Sequence, residues 1–172
     1  PSYAGITYER IGTRGLHWPC PSRDHPGTPV LHVGKFARGK GLMKGIPFKE
    51  PAEGPDRKFP FTLTTGRVLQ QFHTGTMSRK TPGLNELAGP MVMISTADAK
   101  KLGVKNGSRV KVATRRGQIV VPAVVTPDIG DGTIYVPFHY AEAPANRLTN
   151  PVVDPVAKIP EYKVCAARVT KV

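Results

Sequence analysis

Leu63-Thr64-Thr65-Gly66-Arg67-Val68-Leu69-Gln70-Gln71-Phe72-His73-Thr74-Gly75-Thr76-Met77 is the stretch around which the chain is built. Phe61 to Thr65 alternates bulky and β-branched residues, the pattern of a half-buried strand. The pattern breaks at Gly66 and continues through an arginine, two glutamines, a histidine and several hydroxyls. A donor-rich loop directly after a buried strand suits an anionic ligand. Gly66 permits close backbone approach, and Arg67 offers a forked pair of N–H donors to phosphate. The same residues also describe an ordinary strand followed by a solvated polar loop, and composition alone does not separate the two.

The 172 residues are enough for one domain with its own core plus extensions. Glycine and proline number 18 each, which predicts many turns and long irregular connections. No apolar run approaches the length of a membrane span, and the N-terminus lacks a charged-then-apolar leader pattern. A start at Pro1-Ser2-Tyr3-Ala4-Gly5 is expected of a processed chain or of a piece of a longer one. The net charge of +13 points to nucleic acid, a polyanionic cofactor or an acidic partner surface, or else to a generally basic solvated surface. Readers of nucleic acid pair basic patches with exposed aromatics, whereas this chain is only 7% aromatic and its cations are scattered. A basic nucleic-acid-binding β-barrel is therefore the rival reading of another class, and no nucleic-acid partner is expected. Cys20 and Cys165 lack metal-ligand neighbours at zinc or iron–sulfur spacing, so neither a metal site nor a disulfide framework is expected. Two inert thiols fit a reducing, cytoplasmic setting.

Residues 1–58 are rich in glycine and proline and read as an irregular wrapping arm ending in a linker, Glu53 to Lys58. Trp18, Tyr3, Tyr8, Leu31, Val33 and Phe36 give it surface to bury, and Val30 to Phe36 is its one expected strand. Residues 59–172 read as the domain. After the opening strand, Pro90 to Ile94 reads as a short buried strand. Ser95 or Thr96 then caps a helix that runs to a left-handed exit at Gly103. Asn106-Gly107 turns into a strand from Arg109, and Arg115-Arg116-Gly117 turns into Ile119 to Val125. Pro122 marks that run as an edge or a bulge. Thr133 to Phe138 and Val164 to Val169 complete six or seven short strands with one or two short helices. The fold class is mainly β, a barrel closed to hide its edges.

Thr65-Gly66-Arg67-Val68-Leu69 with His73-Thr74-Gly75-Thr76-Met77 resembles the cofactor loop in the C-terminal domain of molybdenum or tungsten bis-pterin oxidoreductases, which include formate dehydrogenases and nitrate reductases. Later motifs follow in the family's order. Phe138 lies at a strand end, Asn146 stands eight residues on before Leu148-Thr149, and Lys163 seventeen beyond that, within Pro160-Glu161-Tyr162-Lys163. The resemblance implies a double-psi β-barrel that binds bis-molybdopterin guanine dinucleotide. It implies a cofactor-binding set of Thr65, Gly66, Arg67, Val68, Leu69, Gln70, His73, Thr74, Phe138, Asn146, Tyr162 and Lys163. Arg67 and Lys163 suit phosphate or pterin oxygens, Asn146 an amide-like ring edge, and Phe138 a ring face. The family's metal-ligating cysteine or selenocysteine and its four-cysteine cluster motif match nothing here. No catalytic residue, metal ligand or Fe–S cluster is thus expected in this chain, and the redox step belongs to other domains or subunits, including electron-transfer subunits. Gly15 to Pro21, Pro137-Phe138-His139 and Ile159 to Lys163 look closer to formate dehydrogenases, with a nitrate reductase C-terminal domain or a formylmethanofuran dehydrogenase small subunit as alternatives.

Overall fold

The computed structural model describes all of residues 1–172, which divide into two compact units, Pro1–Phe48 and Lys49–Val172. The first contains one short helix, α1 (Tyr8–Ile11), whose Thr7 cap accepts from the Arg10 N–H. The Arg10 guanidinium organises this unit. It donates to the carbonyls of Gly5, Ser22 and His25, and lies 3.5 Å from the Cys20 sulfur. Cys20 is fully buried beside it, and a Cβ at Gly5 would overlap the Ser22 carbonyl. The strand expected over Val30 to Phe36 does not form; only Phe36 makes an isolated bridge, to Gly39. His32 and Gly34 both take positive φ (59° and 75°), which an extended strand cannot accommodate.

The second unit is a closed six-stranded barrel: β1 (Phe61–Gly66), β2 (Val92–Ser95), β3 (Arg109–Ala113), β4 (Gln118–Thr126), β5 (Thr133–Pro137) and β6 (Cys165–Lys171). Around the ring the order is β1-β5-β2-β4-β3-β6. The β1–β5 and β2–β4 pairs are parallel, and the other four are antiparallel. Exchanging β1 with β4, β2 with β5 and β3 with β6 maps the ring onto itself. Two interlocked three-strand halves related in this way make a double-psi β-barrel. Its inward positions alternate along each strand, and Leu63, Ile94, Ile134, Val110, Val112 and Leu148 are fully buried at its centre. Each contributes about 1.5–3 kcal/mol by leaving water.

α3 (Thr96–Leu102) is capped by Ser95, and Gly103 leaves it with φ 62° in the left-handed region, as the sequence predicts. Pro122 lies on neither a free edge nor a bulge. β4 pairs with β3 up to Pro122 and with β2 from Ala123 on, so the proline falls where the strand changes partner. The helix α2 (Pro82–Leu87) was not expected, although Thr81-Pro82 supplies a proline at its first position. Residues 49–58 pack within the barrel unit. Glu53 pairs with Arg115 and Arg116 and accepts from the Ala166 N–H, while Asp56 also pairs with Arg115.

Asp98 ties α3 to the turn before β5. Burial alone would raise its carboxyl, but hydrogen bonds from the Gly132 N–H (2.6 Å), Lys101 and Ser95 hold it below the usual aspartate value. Asp98→Ala should therefore cost about 1–3 kcal/mol at pH 7 in chemical denaturation, since it leaves the partly buried Gly132 N–H without its acceptor. Because the folded value is depressed, this stability is present above the unfolded value near ~3.9 and is lost as pH falls through the folded one. The difference between wild type and variant should shrink below about pH 4.

Candidate functional site: the barrel mouth

Parallel pairing of β1 with β5 sends both strands out at the same end, with Gly66 opposite Pro137. β6, antiparallel to β1, enters there, with Cys165 opposite Leu63. Three segments therefore meet at one mouth: the loop after Gly66, the loop after Pro137 and the stretch leading to Cys165. Between them lies an open cleft of about 470 Å³, lined by Thr65, Arg67, His73, Phe138, Asn146, Thr149, Pro160 and Tyr162. Six of these are residues the sequence put forward.

The geometry of the cleft is specific. Arg67 stacks its guanidinium 5.5 Å from the centre of the Phe138 ring and reaches 3.4 Å from the His73 ring nitrogen. Thr65 donates its hydroxyl to the Tyr162 carbonyl (2.9 Å), and the Lys163 ammonium donates to the Thr65 carbonyl (2.6 Å). The first and last strands are thus stitched together at the rim. Arg79, by contrast, pairs with Glu142, and Arg115 and Arg116 with the acids of residues 49–58. Neither Arg67 nor Lys163 has a carboxylate partner, so the mouth carries positive charge that the protein does not neutralise. A cleft of this size walled by aromatic rings, an amide, hydroxyls and an arginine without a carboxylate partner can take an anion joined to a flat polar ring.

The remaining expected residues fall around this cleft. Thr74 lines a smaller adjoining recess of about 210 Å³ with Phe138, His139, Tyr140 and Asn146. The buried Tyr140 hydroxyl has no protein partner. Gly66 lies directly against the Tyr135 ring. Val68 takes part through its backbone, donating to the His139 ring at 2.9 Å. Leu69 and Gln70 line neither recess, and Leu69 is 98% exposed.

Several contributors were not singled out. Thr149 and Pro160 lie within the motifs Leu148-Thr149 and Pro160-Glu161-Tyr162-Lys163 but were not put forward for the site. Ser78 accepts from the Phe72 N–H (3.0 Å) and donates to the buried Gln71 side chain (2.7 Å), bracing the loop from within. His139 lies within the Pro137-Phe138-His139 motif, between two aromatics in sequence, yet was not put forward for the site. Tyr135 donates to the Arg67 carbonyl, a contact no sequence pattern marks. No group of three or more His, Cys, Asp or Glu side chains is placed to hold a metal ion.

The fold and the mouth together describe a double-psi barrel that opens at one end into a cleft lined by Arg67, aromatic rings, an amide and hydroxyls. The sequence of residues 61–166 matches the molybdopterin dinucleotide binding domain, and the chain belongs to that family. It is similar along its whole length to the F420-dependent formate dehydrogenase 1 subunit alpha of Methanococcus maripaludis, at 51% identity over 26% of that relative. The periplasmic nitrate reductase of Desulfovibrio desulfuricans is 40% identical across 97% of the chain and 25% of its own length. The chain thus spans about a quarter of the length of these relatives. Acetylene hydratase from Pelobacter acetylenicus shares the fold, with a TM-score of 0.58 over 73% of this chain and 21% of its own, at 16% identity.

A Cβ placed on Gly66 would lie 2.8 Å from the ring and hydroxyl of Tyr135. Gly66→Ala should cost about 1–3 kcal/mol by displacing that ring from the Arg67 carbonyl. Most of the cost should vanish in a Tyr135→Ala background, a coupling that a double-mutant cycle in urea measures directly.

Proposed function

We propose that this barrel is the cofactor-binding part of a formate dehydrogenase and that its mouth clasps one end of a bis-molybdopterin guanine dinucleotide. The observation that carries the reading is the convergence of Arg67, His73, Phe138, Asn146 and Tyr162 on one cleft from segments up to about a hundred residues apart. The donor set fits such a group. Arg67 meets pyrophosphate or pterin oxygens with two parallel N–H bonds, and Lys163 adds charge at the rim. Asn146 answers a guanine or pterin edge with one donor and one acceptor. Phe138 and Tyr162 wall the ring, while Thr65, Gly66, Val68 and Thr74 shape the loop that receives it. Leu69 and Gln70, outside the cleft, are assigned to packing against the cofactor's other side or the neighbouring domain.

The metal of the bound cofactor supplies the two-electron chemistry that interconverts formate and carbon dioxide. This chain holds and orients the group, neutralises its phosphates and keeps water from its buried face. Its partners are the remaining domains or subunits, which carry the metal ligand and the Fe–S cluster. Two buried, unpaired thiols favour a reducing, cytoplasmic setting. Formate is preferred to nitrate because similarity is higher to the formate dehydrogenase subunit than to the nitrate reductase (51% against 40%).

In the assembled enzyme, Arg67→Ala should lower metal and guanine nucleotide content about 10-fold or more, the loss expected when one charge-assisted phosphate contact is removed. Metal analysis and chromatography of the released nucleotide read this out. Full content in that variant would overturn the assignment.

A further inference from the structure

The loop that carries Arg67 and His73 is held by a residue that does not line the cleft. His139, the second residue after β5, is 2% exposed, with its ring 4.9 Å from Phe138 and 5.9 Å, edge to face, from Tyr140. Its Nε2 is 2.9 Å from the backbone nitrogen of Val68. Its Nδ1 bonds the backbone carbonyl of His73. The partners decide the protonation. A backbone N–H can only donate, so Nε2 must be an acceptor; a carbonyl oxygen can only accept, so Nδ1 must carry the hydrogen. One neutral imidazole, in one tautomer, therefore grips the loop at both limbs, five residues apart.

We propose that His139 is the positioning residue of the cofactor loop: a neutral Nδ1–H imidazole that fixes the approach of Val68 and His73, and so sets the spacing of Arg67 and His73 across the cleft. The inference deepens the cofactor reading and rests on it for its purpose, but the clamp itself requires no bound group. His73 sits at φ 46°, a left-handed conformation uncommon outside glycine, which turns its carbonyl back toward the barrel. Gly75 follows at φ 75°, with its N–H bonded to the Phe72 carbonyl (2.9 Å), and carries the chain away again. Such a turn holds only where its surroundings over-determine it, and the His139 bond is one of the few contacts that could do so. A cleft arranged before its ligand arrives binds more tightly than one that must be ordered on arrival.

The test uses the 172-residue chain without cofactor. Long-range nitrogen–proton NMR of the His139 ring should show a single neutral tautomer protonated at Nδ1. Amide hydrogen exchange at Val68 and through Gly75 should accelerate about 10-fold or more in His139→Phe, while exchange in β3 and β4 stays unchanged. His139→Gln, whose amide presents an acceptor and a donor at similar spacing, should recover part of that protection. An Nε2–H tautomer, or a folded His139→Phe with wild-type loop exchange, would overturn the proposal. Should His139→Phe fail to fold, the tautomer of the wild-type ring decides alone. Since no cofactor enters, a failure here is separate from a failure of the Arg67 experiment.

Discussion

Everything at the mouth depends on β1 and β5 lying parallel. Antiparallel neighbours would send their loops to opposite ends of the barrel, and the Gly66 loop would never meet the Phe138 loop. Parallel pairing needs a long crossover. Here the chain between β1 and β5 contributes α3 and the three strands β2, β3 and β4, which fill the rest of the ring except β6. The core stabilises this arrangement through Leu63, Ile94 and Ile134, buried at the centre of β1, β2 and β5. Core packing and site assembly are therefore one event: the barrel cannot close without bringing Thr65, Phe138 and Lys163 to a shared rim.

Charge completes the picture. A net +13 spread evenly would disfavour compaction, yet the barrel unit pairs several of its cations deliberately. Arg115 and Arg116 fasten residues 49–58 to the barrel through Glu53 and Asp56. Burial alone would raise the Glu53 carboxyl, but hydrogen bonds from Arg116 and the Ala166 N–H, with the charges of both arginines, hold it below the usual glutamate range. Arg79 is anchored by Glu142 and packs over Tyr140. Arg67 is left with the Phe138 and His73 rings, and Lys163 with the Thr65 carbonyl and the Tyr162 ring.

How much of this the sequence disclosed follows from the range of each interaction. Strands with period-two alternation and the helix from Ser95 to Gly103 are written in neighbouring residues, so they were legible. The wrong strand at Val30 to Phe36 shows the limit. Its residues favour extension, but His32 and Gly34 adopt turns that no local rule dictates. Pro122 was legible as an interruption, yet its meaning, a change of ladder partner, exists only in the closed ring. Six of the residues put forward line one cleft, and they were put forward because the ordered motifs carry a family's spacing, not because any of them is diagnostic alone. His139, Tyr135 and Ser78 act by gripping backbone, and a backbone contact leaves no mark on residue type. Glu53 read as linker because its partners lie more than sixty positions away.

The central claim is that the mouth framed by β1, β5 and β6 clasps a charged pterin nucleotide. A structure of the assembled, cofactor-loaded enzyme tests it most directly. Phosphate density is expected within hydrogen-bonding distance of Arg67, and ring density between Phe138, Asn146 and Tyr162. A loaded enzyme in which these side chains face solvent, or only another protein surface, would contradict it.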